Sequence, residues 1–128
     1  MIKKIDLIYA DECYEIMGIA FDVFKKLGFG HKENIYQKAL ATNFKERNFK
    51  FKEQLRYNLK YKDETLGVYI LDFLLFDKIV LKIKQKDFIS EKDIDQVYRY
   101  LRATHLKLGI ILTFTKKGAC FKRIVNLK

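Results

Sequence analysis

The stretch DFLLFDKIVLKIKQKD, from Asp72 to Asp87, constrains the fold more than any other part of the chain. Apolar residues alternate with polar ones on both sides of a short break, which is the pattern of two strands around a tight turn. A three-residue connection through Phe76, Asp77 and Lys78 pairs Leu75 with Ile79 and Asp72 with Lys82. One face then carries Leu71, Phe73, Leu75, Ile79, Leu81 and Ile83, and is wholly apolar. The other carries Asp72, Leu74, Val80, Lys82 and Lys84. A two-residue turn would mix charged and core residues on both faces, which burial penalises. Asp72, Lys82 and Lys84 are therefore expected to be neighbours.

The flanking segments supply the other layers. DECYEIMGIAFDVFKKLG places Cys13, Ile16, Met17, Ala20, Phe24 and Leu27 at helical spacing and stops at Gly28. Glu33 to Arg47 reads as a second helix with Ile35, Tyr36, Ala39, Leu40 and Phe44 inward. Leu55, Tyr57, Leu59 and Tyr61 alternate as a strand, Lys62-Asp63-Glu64 turns the chain, and a second strand covers about Leu66 to Phe76. Ser90 and Asp93 form the capping pattern of a third helix that buries Ile94, Val97, Tyr98 and Leu101. The apolar LGIILTF suits a central strand, and CFKRIVNLK closes the chain as a last one. The expected fold is α/β, with helices on a mixed sheet, in a single domain spanning 1–128.

Composition narrows the partners. The net charge is +10, from 26 Lys+Arg against 16 Asp+Glu, and the lysines are spread along the chain. Folding must assemble any basic surface, and such a domain favours polyanions, with nucleic acid the commonest. No apolar run is long enough to span a bilayer, and the first residues lack the apolar stretch of a leader, so a cytoplasmic protein is expected. Cys13 and Cys120 lack the spacing of a zinc site and read as reduced core cysteines.

Taken by themselves, the charged residues admit ordinary readings. Glu33 near a helix start suits the dipole, Lys82 and Lys84 suit a solvated strand face, and Gln96 and Tyr100 at i, i+4 can pack together. His31 and His105 belong to no motif. Asp72 between Leu71 and Phe73 is harder to dismiss, because a strand interior disfavours Asp and leaves it needing a partner.

A further pattern bears on these residues. G-H-K-E-N-I-Y, from Gly30 to Tyr36, fits G-x-x-E-x-x-Y. The likeness continues through LGFG, then D-F followed by I-V-L-K-I-K, then Q-V-Y-R-Y and L-R-A-T. On these residues the chain resembles the GxxExxY protein family, itself similar to a branch of the PD-(D/E)XK nuclease superfamily with its αβββαβ core. The resemblance implies a metal-dependent phosphodiesterase site. In such nucleases a strand Asp and the Glu of an E-x-K bind a divalent metal, while the Lys orients water or phosphate. A helix Glu adds to the metal site, and a Q-x-x-x-Y helix lines the DNA side in the RecB-like subgroup. Carried over, these are Asp72, Glu33 and Lys84, with Gln96 and Tyr100 on the helix and Gly30, Glu33 and Tyr36 as the family motif. The E-x-K glutamate falls at position 82, where this chain has Lys82.

That departure matters because Mg²⁺ or Mn²⁺ is held by hard oxygen ligands. An ammonium in place of a carboxylate changes the local charge by two units, and one unlike pair at ~4 Å is worth about 4 kcal/mol at an effective dielectric of about 20. The resemblance thus implies a nuclease fold that binds nucleic acid at a degraded site, with Lys84, Lys86, Arg99 and Arg102 as phosphate contacts. Two alternatives stay open. One is an active nuclease holding Mg²⁺ or Mn²⁺ through Glu33 and Asp72; the other is a non-catalytic interaction module, as a homo-oligomer and without a cofactor.

Overall fold

The computed structural model describes residues 8–127. The expectation that MIKKIDLIYADE carries no leader falls largely on residues 1–7, outside that range. The elements run α1 (Ala10–Leu27), α2 (Glu33–Glu46), β1 (Phe51–Tyr61), β2 (Glu64–Leu75), β3 (Ile79–Lys84), α3 (Glu91–Thr104), β4 (Leu108–Thr115) and β5 (Gly118–Val125). The five strands form one mixed sheet in the order β1-β2-β3-β4-β5. Among the described residues only β3 and β4 pair in parallel, because α3 carries the chain back across the sheet between them. Among the described residues no helix is long and apolar enough to cross a membrane.

The hairpin has the expected register. Leu75 pairs with Ile79, Leu74 with Val80 and Phe73 with Leu81. Phe76 and Asp77 make the turn with φ of 57° and 58°, and Lys78 N–H donates to Leu75 O at 3.0 Å. A left-handed Phe is disfavoured, but its ring is held 4.9 Å from that of Phe49.

Two apolar layers cover the sheet. On one face α1 and α2 pack Ile16, Ile19, Tyr36, Leu40 and Phe44 against Phe73, Leu75, Leu81 and Ile83. On the other, α3 packs Val97, Tyr100 and Leu101 against Leu71, Val80 and Ile111. β4 is buried along its whole length, as its apolar run requires. There Gly109 lets α3 approach, since a Cβ on it would lie 2.5 Å from Val97 Cγ1.

Some of the expected faces are corrected. Leu71 does not share the face of Phe73. The β1–β2 pairing passes from Glu53↔Phe73 to Leu55↔Leu71, with Gln54 left-handed at φ 51° between them. This kink turns Leu71, Leu55 and Tyr57 toward α3. On α1 the buried stripe runs through Ile19 and Val23, and Leu27 is exposed. On α2, Ile35 is exposed while Gln37 is buried. Cys13 is buried as expected, but Cys120 is exposed, because β5 is an edge strand.

Candidate functional site

The G-x-x-E-x-x-Y segment builds the joint between α1 and α2. Gly28 and Gly30 take φ of 74° and 102°, which glycine adopts without a Cβ clash. Tyr36 is fully buried with its ring centroid 4.0 Å from that of Phe114. Its hydroxyl donates to Gly28 O at 2.5 Å and accepts from His31 N–H at 3.4 Å. The tyrosine therefore fixes the loop to the helix, and with it the place of Glu33 as the first residue of α2. From there Glu33 Oε1 accepts the Gln85 N–H at 3.1 Å, just beyond the end of β3.

Asp72 sits where β2 leaves β3. The ladder between these strands ends at Phe73↔Leu81. Past that point the Asp72 carboxylate takes over, with Oδ2 accepting the Ile83 N–H at 2.6 Å. Gln37 Nε2 donates to Asp72 O at 3.0 Å and to Glu53 Oε2 at 3.3 Å. An open depression of about 290 Å³ results, lined by Glu33, Asn34, Gln37, Gln54, Asp72 and Ile83.

Lys82 meets Asp72 as the register required. Its Nζ lies 3.8 Å from Asp72 Oδ2 and donates to Ile70 O at 3.3 Å. Burial nevertheless raises the Asp72 carboxyl above the ordinary carboxylate range. The Ile83 N–H and the Lys82 and Lys84 ammoniums pull it down, and the Glu33 carboxylate pushes it up. Desolvation wins because the ion pair is long.

The remaining expected residues divide among three places. Lys84 and Lys86 both turn to Asp93 in the first turn of α3, at 3.6 and 2.8 Å. Lys84 thus reaches Asp72 only through its field. Burial alone would raise the Asp93 carboxyl, but Lys86, the Ser90 N–H and hydroxyl, and Lys84 hold it at about 2. Gln96 does not border the Asp72 depression; with Lys82, Tyr69 and Tyr100 it lines a smaller hollow beside α3. Tyr100 is buried there, edge-on to Tyr57 at 5.4 Å and Tyr69 at 6.0 Å. Arg99 and Arg102 are exposed on α3, Arg102 lying 5.9 Å from the Tyr98 ring.

Sequence reasoning missed Gln37, Glu53 and the ionic role of Asp93. Gln37 was discoverable, since an i, i+4 spacing from Glu33 puts both on one helix face. Glu53 carried no such signal, because it depends on the kink at Gln54.

The donor set does not suit a divalent cation. Glu33 and Asp72 each already accept a backbone N–H, and the Lys82 ammonium stands beside Asp72 with the charge such a cation would bring. Among the described residues no three His, Cys, Asp or Glu gather so as to hold a metal ion.

The fold is shared with known proteins. The crystal structure of SSO0001 superposes with a TM-score of 0.53 at 17% identity, over 73% of this chain and 49% of that one. The chain therefore spans about half the length of that protein. No curated protein matches significantly. The profile of the PD-(D/E)XK nuclease superfamily matches residues 10–124, from the start of α1 into β5. The chain belongs to the PD-(D/E)XK nuclease superfamily.

Proposed function

We propose that this chain is a nucleic-acid-binding protein of the GxxExxY branch in which the phosphodiesterase site is degraded. One observation carries the reading: Lys82, at the position of the E-x-K glutamate, places its ammonium 3.8 Å from Asp72 Oδ2. A fixed internal cation there offsets part of the Asp72 charge and repels a second cation. It leaves the phosphate-attracting side of the site intact. Arg99 and Arg102 supply further positive charge on α3, Lys86 just past β3 adds to it although its ammonium is paired with Asp93, and Gln96 offers a neutral donor beside Lys82. Tyr100, being buried, acts as a wall for that hollow.

The test combines binding with cleavage. Fluorescence anisotropy of a labelled oligonucleotide across a salt series should give a linear log–log loss of affinity, because phosphate contacts release counterions. No product should form with Mg²⁺ or Mn²⁺. Metal-dependent cleavage abolished by Asp72→Ala would establish instead an active nuclease using Glu33 and Asp72. Absence of binding at low salt would leave an interaction module.

A further inference from the structure

β1 and β2 continue together well past the point where β3 ends its pairing at Phe73. One face of this two-stranded ribbon, through Leu55, Tyr57, Tyr69 and Leu71, packs on the α3 core. Among the described residues no helix or strand covers the opposite face. Its β1 row is Gln54, Arg56, Asn58 and Lys60, all exposed. Its β2 row is apolar, with Val68 at 42% and Ile70 at 46% exposure, and Leu66 at 63% beside the bulge. The rows are joined by the pairs Arg56↔Ile70 and Asn58↔Val68. At the tip Lys62 lies 5.4 Å from the ring of exposed Tyr61, with Asp63 and Glu64 exposed beside it, so the positive charge of the face rests on Arg56 and Lys60. At its other end the face runs into the candidate site, because Gln54 lines the depression that holds Asp72 and Glu33.

A cationic row beside an exposed aliphatic row restricts what can lie on it. A duplex offers phosphates outward and keeps its base faces stacked, so Val68 and Ile70 would stay idle. A second copy packed about a two-fold axis across the strands would set Arg56 and Lys60 against their own equivalents, which like-charge repulsion opposes. About an axis along the strands it would bury them on Val68 and Ile70 without a counter-charge, which desolvation opposes. A single strand presents phosphates and unstacked base faces at once, and these match the two rows.

We propose that the bare face of the β1–β2 ribbon binds single-stranded nucleic acid. Arg56 and Lys60 contact phosphates, Val68 and Ile70 contact bases, and the strand is led toward the depression at Asp72. The inference rests on the reading that the chain binds nucleic acid and adds the strandedness and the track.

The experiment compares a labelled oligothymidine with a labelled duplex on the full chain and two double variants. Val68→Thr with Ile70→Thr keeps the β-branched shape at exposed positions, so folding is retained, as a circular-dichroism melt confirms. This pair should lose roughly tenfold in single-strand affinity, through the apolar contact removed, with duplex affinity unchanged. Arg56→Gln with Lys60→Gln should shallow the single-strand salt slope by roughly 0.7 per charge removed. If the parent binds and the Thr pair binds single strands equally well, the ribbon proposal falls while nucleic-acid binding stands. If the parent binds neither probe at low salt, both fall. A dimer of the parent that the Thr pair dissociates would make this face a contact between copies and overturn the proposal.

Discussion

At position 82 a lysine ammonium faces the Asp72 carboxylate, and its distance from Asp72 sets how far it offsets that charge. An ammonium 3.8 Å away leaves the Asp72 carboxyl raised, because burial outweighs the pair. A carboxyl raised on folding stabilises the chain fully below its unfolded pKa and loses that contribution as pH rises through the folded value. At neutral pH charged Asp72 is therefore a cost. Asp72→Asn, whose Oδ1 can still accept the Ile83 N–H, should melt higher than the parent at neutral pH. The gap should close as pH falls below the carboxylate range. A lower neutral-pH melting temperature for Asp72→Asn would mean that Lys82 outweighs burial. Lys82→Glu probes the same residue from the other side. It removes the partner of Asp72 and adds a like charge, so without metal it should lower stability by about 1–3 kcal/mol. Added Mn²⁺ should recover the loss by binding the folded state, and no recovery should occur with Asp72→Ala in addition. Calorimetric titration with Mn²⁺ decides it; if Lys82→Glu takes up metal no better than the parent, residue 82 is not the ligand position. The Asp72–Lys82 pairing was legible from burial alone, since only one register kept a hairpin face apolar. The partner of Lys84 was not, because Asp93 reaches it from a helix whose docking on the sheet no local pattern encodes.

Among the elements, β3 and α3 were the most legible and the β1–β2 ribbon the least. β3 begins and ends where its alternation does, and the capping of α3 is reciprocal. Asp93 N–H donates to Ser90 Oγ, and Ser90 N–H to Asp93 Oδ2, both at 3.2 Å. The ribbon was opaque because its kink depends on a left-handed Gln54, a residue with no special preference for that conformation. Without the kink, Leu71 falls on the wrong face and the bare outer rows cannot be seen. Cap and packing make separable predictions for α3. Ser90→Ala should destabilise by about 1 kcal/mol, the usual cost of a lost N-cap. Asp93→Asn should cost more, since it also strips Lys84 and Lys86 of their shared carboxylate. Because the Asp93 carboxyl is held at about 2, its contribution is complete above the unfolded pKa and is lost as pH falls through that value. The Asp93→Asn penalty should therefore shrink in strong acid, while the Ser90→Ala penalty persists there, since the bond from the Asp93 N–H to Ser90 Oγ involves no titrating group. Chemical denaturation across pH reads both. Gly109→Ala would press a methyl on Val97 and should cost about 1–3 kcal/mol by overpacking.

For the molecule as a whole, the net charge of +10 acts in opposite directions on folding and on binding. Like charges on a compact chain repel, so the free protein is destabilised by its own field, and salt relieves this as the screening length falls to about 10 Å near 0.1 M. Its melting temperature should therefore rise between low and physiological salt. A bound polyanion relieves the same repulsion and adds linkage energy, about 2.7 kcal/mol when the ligand is at a hundred times its Kd. Binding weakens with salt, so the melting temperature of the protein with saturating oligonucleotide should start higher and fall. The two curves should converge as salt rises and the complex dissociates. Thermal melts with and without oligothymidine across one salt series test this without assuming any site. If the curves coincide at low salt, the folded chain does not bind the strand and the basic charge serves another purpose. If they run parallel at all salt concentrations, binding is not carried by phosphate contacts, and Arg56, Lys60 and the lysines of β3 are not its source.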